Sequence, residues 1–331
     1  MKNIFFVVIL FFSFLTTFGQ QNFTVMFYNM ENLFDTIDNP LTRDDEYSPK
    51  GAKNWSSRRY REKLKHLRQV ISAVDLETFP DIIGVCEIEN RKVLEDLISR
   101  PPLSEAGYRI FHRDGSDRRG IDCAVIYNPE TFKILDTNTL RIKFEDTTYF
   151  SRDILYVKGK ILGKQDTLHI FVNHWPSRFG GHAQTEKLRF QAALRLRFST
   201  DSVFDIDPNA QILCIGDFND MPSDNSLTEG LKAKTDLSEA LPHTLYNLSY
   251  SLQYEKGLWT YNFHEDYGIL DQVIVSGGLL KKHKLFVEPF KQDFMLKTDE
   301  RGNPHPWRTF YGYKYEGGFS DHLPVVIKII E

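Results

Sequence analysis

Polar residues that can bind metals or move protons follow short apolar stretches at several separate points of this sequence. In chain order they are Asn29 and Glu31 in FYNMENLF, Glu87 in IIGVCEIEN, Asn173 and His174 in NHWPSR, Asp217 and Asn219 in GDFND, Asp271 in ILDQVIVS, and Asp321 and His322 in FSDHLPV. Apolar stretches of this length predict buried strands, which would place these side chains along one edge of a sheet. Carboxylate and amide oxygens gathered there suit a hard cation such as Mg²⁺ or Mn²⁺. Histidines beside them suit proton transfer near neutral pH.

The elements that must position these residues can be read from the spacing of apolar residues. Ser56 or Ser57 is expected to cap a helix, because five apolar residues from Tyr60 to Val74 recur every three or four positions. A second amphipathic helix is predicted at 185–199 and a short one near Ser226. Strands are predicted at 23–28, 82–86, 108–111, 121–127, 132–135, 154–162, 168–172, 212–215, 270–275 and 325–330. Many strands with helices between them predict an α/β (α+β) fold with two packed sheets and helices outside.

The N-terminus has the pattern of a secretory signal peptide. Lys2 is followed by an apolar stretch at residues 4–15 that only Ser13 interrupts, and Thr17 and Gly19 precede the expected cleavage point. We therefore expect export to the periplasm or the extracellular space, with an uncleaved membrane anchor as the alternative. Residues 1–19 would be removed, and residues 20–331 are expected to form a single domain.

Composition excludes some classes of protein. The 331 residues carry a formal net charge of −4, so a strongly basic nucleic-acid-binding body is absent, although a metal site with a local cationic rim could still act on nucleic acid. The arginine pairs Arg58-Arg59 and Arg118-Arg119 could contact a phosphate backbone. The three cysteines, Cys86, Cys123 and Cys214, each lie in an apolar strand-like stretch. They are expected to be core residues, neither nucleophiles nor disulfide partners.

Taken together and in this order, the six polar stretches resemble the endonuclease/exonuclease/phosphatase superfamily. The resemblance runs from Phe23 to Ile330; GDFND or SDH alone would be common, whereas six stretches in order after apolar strands are specific. It implies a deoxyribonuclease-I-like four-layer sandwich, in which two mainly antiparallel sheets pack together and helices flank them. It also implies a phosphoesterase that depends on Mg²⁺, Mn²⁺ or Ca²⁺ and cleaves by direct attack of water.

The resemblance also implies a role for each matched residue. Asn29, Glu87 and Asp321 would form the metal site, and Asn29 would orient the metal and phosphate ligands. Asp217 would position the nucleophilic water, and Asn219 would bind the phosphate. Asp271 would orient His322, and His174 matches the second histidine of the deoxyribonuclease-I and sphingomyelinase branches. Which histidine acts as base and which as acid stays open at this stage.

Four further residues are weaker candidates. Glu31 is either linked to the metal or an exposed loop residue. Asp122 either orients His174 or is an ordinary aspartate at a strand edge. Arg178 could clamp a phosphate with two hydrogen bonds, and Asn173 is a candidate for phosphate binding beside His174.

These residues favour an exported endonuclease that hydrolyses DNA or RNA. The alternative substrates are an inositol phosphate, another phosphomonoester, or a phospholipid such as sphingomyelin, all cleaved at the same site. A non-catalytic binding module is a third possibility, but it predicts loss of at least one of these residues, and all are present. No obligate protein partner is expected, and the chain is expected to be a monomer.

Overall fold

The computed structural model describes residues 22–75, 78–164, 167–263 and 266–330, so the predicted signal peptide lies outside the described residues. The strands are β1 (Phe23–Leu33), β2 (Ile82–Ile88), β3 (Arg109–His112), β4 (Asp122–Tyr127), β5 (Phe132–Leu140), β6 (Ile154–Ile161), β7 (Thr167–His174), β8 (Gln211–Asp217), β9 (Leu245–Asn247), β10 (Tyr261–Phe263), β11 (Asp266–Gly268), β12 (Asp271–Ser276), β13 (Lys284–Pro289), β14 (Leu296–Thr298), β15 (Pro304–Pro306), β16 (Phe310–Tyr311), β17 (Lys314–Tyr315) and β18 (Val325–Ile330). The helices are α1 (Ser57–Ala73), α2 (Arg91–Ile98), α3 (His182–Phe204), α4 (Ser249–Tyr254) and α5 (Gly277–Lys282).

Two six-stranded sheets pack face to face. The first has the order β13-β18-β1-β2-β4-β3 and the second β5-β6-β7-β8-β12-β9. The β1–β2 and β7–β8 pairs are parallel and the other pairs within these two sheets are antiparallel. Side chains such as Val25, Phe27 and Ile215 fill the space between the sheets. Helices α1 and α2 cover the outer face of the first sheet and α3 covers that of the second. The predicted four-layer fold with mainly antiparallel sheets is confirmed.

Local sequence explains the main helices, although their bounds differ from the prediction. The side chain of Ser56 accepts a hydrogen bond from the Arg59 amide and caps α1. Helix α3 covers 182–204, longer than the predicted 185–199, and the buried residues Thr200 and Phe204 extend its packed face beyond residue 199. The predicted helix near Ser226 is a single π-helical turn at Ser226–Gly230.

Glu31 was predicted to be either linked to the metal or exposed in a loop, and neither prediction is correct. Its side chain is not exposed, and it does not point toward the proposed metal site. Its carboxylate accepts hydrogen bonds from the amides of Thr309 (2.6 Å) and Phe310 (3.0 Å). It also lies 3.8 Å from the Nζ of Lys63, a lysine on the buried face of α1. Lys63 donates in turn to the Thr309 hydroxyl (2.6 Å) and the Phe319 carbonyl (2.5 Å). The pair therefore fastens the segment before β18 to β1 and α1.

Replacing the buried lysine is expected to destabilise the fold. Lys63→Ala leaves the Glu31 carboxylate buried without its cation, and breaking a buried pair in this way costs about 3–5 kcal/mol. Urea unfolding measures the loss, with Lys65→Ala on the exposed side of the same helix as the matched control. The control should stay within about 0.5 kcal/mol of the unsubstituted protein. Equal stability of the two variants would contradict the role given to Lys63.

Two further features concern the chain as a whole. All three cysteines are buried and unbridged, as expected of core residues. Within the described part of the chain, no helix combines the length and the apolar character needed to cross a membrane.

Candidate functional site

Three neighbouring strands of the second sheet bring three of the predicted site residues together at one edge of that sheet. His174 ends β7 and Asp217 ends β8, and the parallel register places them side by side. Asp271 begins the antiparallel strand β12 and is the register partner of Asp217. Strand pairing alone therefore gathers one histidine and two aspartates at a single edge of the sheet.

Irregular backbone in the first sheet turns two more residues toward the same place. The pairing of β1 with β2 shifts register between Asn29 and Leu33, and that of β2 with β4 shifts between Cys86 and Ile88. Glu87 sits in the second irregularity with φ of 57°, a left-handed conformation that is costly for a residue with a Cβ. Such bulges are common beside active sites, where they re-aim side chains.

Four nitrogen atoms surround one carboxylate oxygen, Oδ2 of Asp217. The side-chain amides of Asn29 and Asn219 donate to it at 3.1 Å and 3.3 Å. The Nε2 atoms of His174 and His322 lie 3.6 Å and 3.9 Å away. The site thus presents several hydrogen-bond donors to one carboxylate oxygen, an arrangement that also suits phosphoryl oxygens.

His322 is held by a buried aspartate, as the resemblance implies. Its Nδ1 lies 2.7 Å from Oδ2 of Asp271, so Nε2 is the ring nitrogen that faces Asp217. Tyr261 packs on the imidazole with ring centroids 4.7 Å apart, and the Ser320 hydroxyl accepts a hydrogen bond from the His322 amide. Burial alone would lower the pKa of His322, but the carboxylates of Asp271 and Asp217 raise it well above its usual value. The charged imidazolium is therefore favoured here.

In contrast to His322, the pKa values of His174 and Asp217 are shifted in the directions that favour the neutral side chains. Burial, helped by the positive charges of Arg152 and Arg119, lowers the pKa of His174 well below its usual value. Burial also raises the pKa of Asp217 to about 7, although the charge of His322 opposes the shift. The two histidines consequently differ in charge, because only His322 has a carboxylate bonded to its Nδ1.

These residues line a cavity of about 340 Å³, which we call the site cavity. Its walls are Glu87, Arg119, His174, Ser177, Arg178, Phe179, Asp217, Asn219, Met221, Tyr261, Asp266, Leu270, Asp321 and His322.

The oxygen atoms of the site cavity fit a hard divalent cation. The Glu87 side chain is 15% exposed, and its Oε2 accepts a hydrogen bond from the Asn32 amide at 2.9 Å. Its Oε1 has weaker contacts among the described residues, with the Asn29 side-chain amide at 3.4 Å and His174 Nε2 at 3.6 Å. Within the described ranges no lysine or arginine forms an ion pair with Glu87 or Asp321. Two carboxylates without a cationic partner in one cavity are the donor set that Mg²⁺ and Mn²⁺ prefer. Asn29 donates to Glu87 and Asp217 and its oxygen accepts from the Glu31 amide, so it positions the two carboxylates.

Arg119 also reaches the site cavity, although the sequence marked it only as half of an arginine pair. Its Nε lies 3.3 Å from Asp117, whose other oxygen binds Arg152 at 3.1 Å. Burial alone would raise the pKa of Asp117, but the two guanidinium groups hold it below its usual value. The side chain of Arg119 is 47% exposed and places its charge at the rim of the site cavity. Its terminal guanidinium nitrogens form no ion pair with a carboxylate among the described residues.

Asp122 and Asn173 have roles other than those predicted from the sequence. Asp122 lies 3.3 Å from Nε2 of His112 and not with His174, whose Nδ1 has no hydrogen-bond partner within the described residues. Asn173 is fully buried; its amide nitrogen donates to the Phe171 and Ile215 carbonyls, and its amide oxygen accepts from the Trp175 indole N–H. It therefore fixes the end of β7 and faces no substrate.

Arg178 does line the site cavity, but other protein groups already bind its guanidinium. Its Nε donates to the Asn219 carbonyl at 2.8 Å, and Nη2 lies 3.1 Å from Asp224. His182 joins Asp224 and Asp220 in a group whose donor atoms lie within 4.8 Å of one another, and Arg178 and Arg189 supply positive charge to those carboxylates. Arg178 thus positions Asn219, whose backbone is left-handed with φ of 52°.

Comparisons with known proteins agree with this architecture. The D. rerio TDP2 structure in complex with a single-strand DNA product superposes with a TM-score of 0.56 at 14% identity, covering 94% of this chain and 99% of that one. The human Nocturnin catalytic domain gives a TM-score of 0.54 at 16% identity, covering 93% and 94%. A mannosyl-6-phosphatase of Bacteroides thetaiotaomicron gives 0.57 at 17% identity, covering 93% and 99%. At these identities the likeness shows the fold.

No curated protein sequence matches the chain. Residues 24–331, however, match the endonuclease/exonuclease/phosphatase family, which is nearly the whole described chain. The protein therefore belongs to the endonuclease/exonuclease/phosphatase family of metal-dependent phosphoesterases.

Proposed function

We propose that this protein is an exported phosphodiesterase that hydrolyses nucleic acid by direct attack of water. The observation that carries the proposal is the convergence of His174, His322 and Asn219 on the Asp217 carboxylate, in the same cavity as Glu87 and Asp321. Residues 20–331 would form its single catalytic domain, supported by the core that the two sheets share.

Each polar side chain can be given a task from its contacts. A divalent cation held by Glu87 and Asp321 would neutralise charge on the phosphoryl group and lower the pKa of bound water. Asp217 accepts a hydrogen bond from the attacking water, orients it and takes the proton that the water loses as its oxygen bonds to phosphorus. Asn219 and His174 donate to phosphoryl oxygens. His322 holds a proton at Nε2 for the leaving oxygen, because its carboxylate partner on Nδ1 favours the protonated ring.

The alkoxide leaving group needs a proton in a phosphomonoester and in a phosphodiester alike, and the site has two histidines facing one carboxylate oxygen. A different observation favours a diester as the substrate. Arg119 at the rim can also contact a neighbouring phosphate. The similar fold of TDP2, a protein solved with a single-strand DNA product, agrees with nucleic acid as the substrate.

A phosphomonoester or a phospholipid is the alternative substrate class. The mannosyl-6-phosphatase neighbour has almost the same fold similarity, and a cavity of about 340 Å³ also suits a small phosphorylated ligand. Phe179 is 92% exposed at the cavity wall, which is a feature that favours contact with lipid.

A hydrolysis screen with Mg²⁺ and Mn²⁺ distinguishes these classes. The substrates are single-stranded DNA, duplex DNA, RNA, bis-p-nitrophenyl phosphate, sugar and inositol phosphates, and sphingomyelin. We expect cleavage of bis-p-nitrophenyl phosphate and of at least one nucleic acid. Release of inorganic phosphate or phosphocholine with every nucleic acid left intact would overturn the proposal in favour of the alternative.

Removal of the rim arginine is expected to weaken substrate binding. Arg119→Ala should raise KM for nucleic acid by about tenfold, within the range for one charged hydrogen bond, with a smaller change in kcat. Arg118→Ala is the matched control, because Arg118 is exposed, lies against Phe150 and does not line the site cavity. Equal KM values for the two variants would rule out phosphate binding by Arg119.

Export is proposed from the N-terminal pattern alone. A charged start, an apolar stretch and small residues before position 20 support cleavage near residue 19. N-terminal sequencing of the protein recovered outside the cytoplasm tests this, and an intact Met1 there would contradict it.

A further inference from the structure

A second cavity, of about 580 Å³, lies beside the site cavity. Its walls include Asn262, Tyr267, Lys297, Trp307, Arg308 and Tyr311. Three cations (Lys297, Arg308 and Lys314) and three acids (Asp299, Glu300 and Glu316) line it together, so it carries no excess of positive charge, and its three aromatic rings are the feature that suits unpaired bases. None of the tasks given to the site cavity uses these residues.

The two-stranded ribbon of β10 and β11 separates the two cavities. Tyr261 and Asp266 line the site cavity, whereas Asn262 and Tyr267 line the second cavity. Asn262 is paired with Tyr267 in the ribbon, and alternate residues of a strand face opposite sides. One ribbon therefore forms a wall of both cavities, and a substrate that extends past its reacting phosphate meets the second cavity next.

The aromatic rings differ in how free they are to contact a ligand. Trp307 donates its indole N–H to the Glu316 carbonyl at 2.9 Å, and Lys297 lies over its ring at 4.6 Å. Tyr267 donates its hydroxyl to the Pro304 carbonyl at 2.8 Å. Tyr311 is 61% exposed, so its ring is the one most available for stacking.

The second cavity contains the acids Asp299, Glu300 and Glu316, and one of its cations has no ion pair with them or with any other described residue. Lys297 and Lys314 both pair with Glu316, at 3.0 Å and 2.6 Å. Arg308 forms no ion pair among the residues that the structure describes, and its guanidinium lies 5.7 Å from the Tyr311 ring.

We propose that the second cavity binds the nucleoside next to the scissile phosphate of a single-stranded nucleic acid, with its base against Tyr311 and its phosphate beside Arg308. This inference rests on the proposed function. Base–aromatic stacking tolerates any base, so the cavity would favour unpaired strands without selecting a sequence. Paired bases in a duplex would not reach Tyr311, so single strands should be cleaved in preference to duplex.

Steady-state kinetics of two variants test the inference. Tyr311→Ala and Arg308→Ala should each raise KM for a single-stranded oligothymidylate by about tenfold, a value at the lower end for loss of one stacked base. The same substitutions should change KM for bis-p-nitrophenyl phosphate much less, because that substrate lacks the flanking nucleoside. Tyr313→Ala is the matched control: Tyr313 is 67% exposed in the same hairpin but does not line the second cavity.

The possible results separate this inference from the proposed function. Cleavage of oligothymidylate by the unsubstituted protein, with equal KM in both variants and the control, would overturn the second cavity alone. An equal rise of KM on both substrates would also overturn it, because the effect would then lie in the site cavity. Hydrolysis of bis-p-nitrophenyl phosphate without cleavage of any nucleic acid would refute the proposed function and the inference with it.

Discussion

His322→Ala is expected to lower kcat by about 10²–10⁴-fold, the range that a positioned acid or base contributes. The substitution removes the Nε2 atom that faces Asp217 and leaves Asp271 buried without its partner at 2.7 Å. Asp271→Asn should also be severely impaired, because an amide can hold the ring but does not favour its protonated form. Single-turnover rates on bis-p-nitrophenyl phosphate measure both variants.

The control for this experiment is the substitution of a different histidine, at a position away from the site. His243 lies on an exposed turn with φ of 57° and stacks on Phe204, so His243→Asn keeps a residue type that tolerates left-handed backbone. It should retain full activity. Near-normal turnover by His322→Ala, with thermal unfolding unchanged, would remove His322 from the chemistry.

Glu87→Gln is expected to abolish metal-dependent activity and to weaken Mn²⁺ binding by at least about 10–100-fold, the loss found even for residues behind metal ligands. The amide keeps the size of the side chain and can still accept from Asn32, so the bulge at Glu87 should survive. Electron paramagnetic resonance titration of Mn²⁺ into the metal-free protein gives the Kd directly, independently of turnover. Excess EDTA should abolish the activity of the unsubstituted protein, and added Mg²⁺ should restore that activity.

Glu89→Gln is the matched control for the metal experiment. Glu89 is also buried, stands two residues further on and accepts a hydrogen bond from the Asp35 amide, but it does not line the site cavity. We expect Mn²⁺ binding close to normal in this variant. Unchanged Mn²⁺ affinity in Glu87→Gln would mean that the ion, if bound, is held elsewhere, and would remove Glu87 from the proposed metal site.

Regular strands are the part of this site that sequence could locate. The pattern predicts His174 and Asp217 at strand ends and Asp271 within a strand at 270–275, and the register brings the three together at one edge of the sheet. The His322–Asp271 contact is long-range, and it followed from family resemblance rather than from local pattern. Short strands such as β10, β11 and β16 escaped prediction, because two or three residues carry no periodicity.

The sequence by itself determined which acid, amide and histidine residues follow the apolar strands, the class of fold and the family. Only the tertiary structure decided which of these side chains face the site cavity. Glu31 and Glu87 both have left-handed backbone, yet Glu31 turns to Lys63 and the Thr309 amide while Glu87 turns to the site cavity. The alternation of side chains along a strand fails at such bulges, and the direction of each side chain there depends on partners that are far away in the chain. Arg119 is held at the rim by Asp117, two residues earlier in the sequence, and the tertiary structure fixes Asp117 in turn through its ion pair with Arg152.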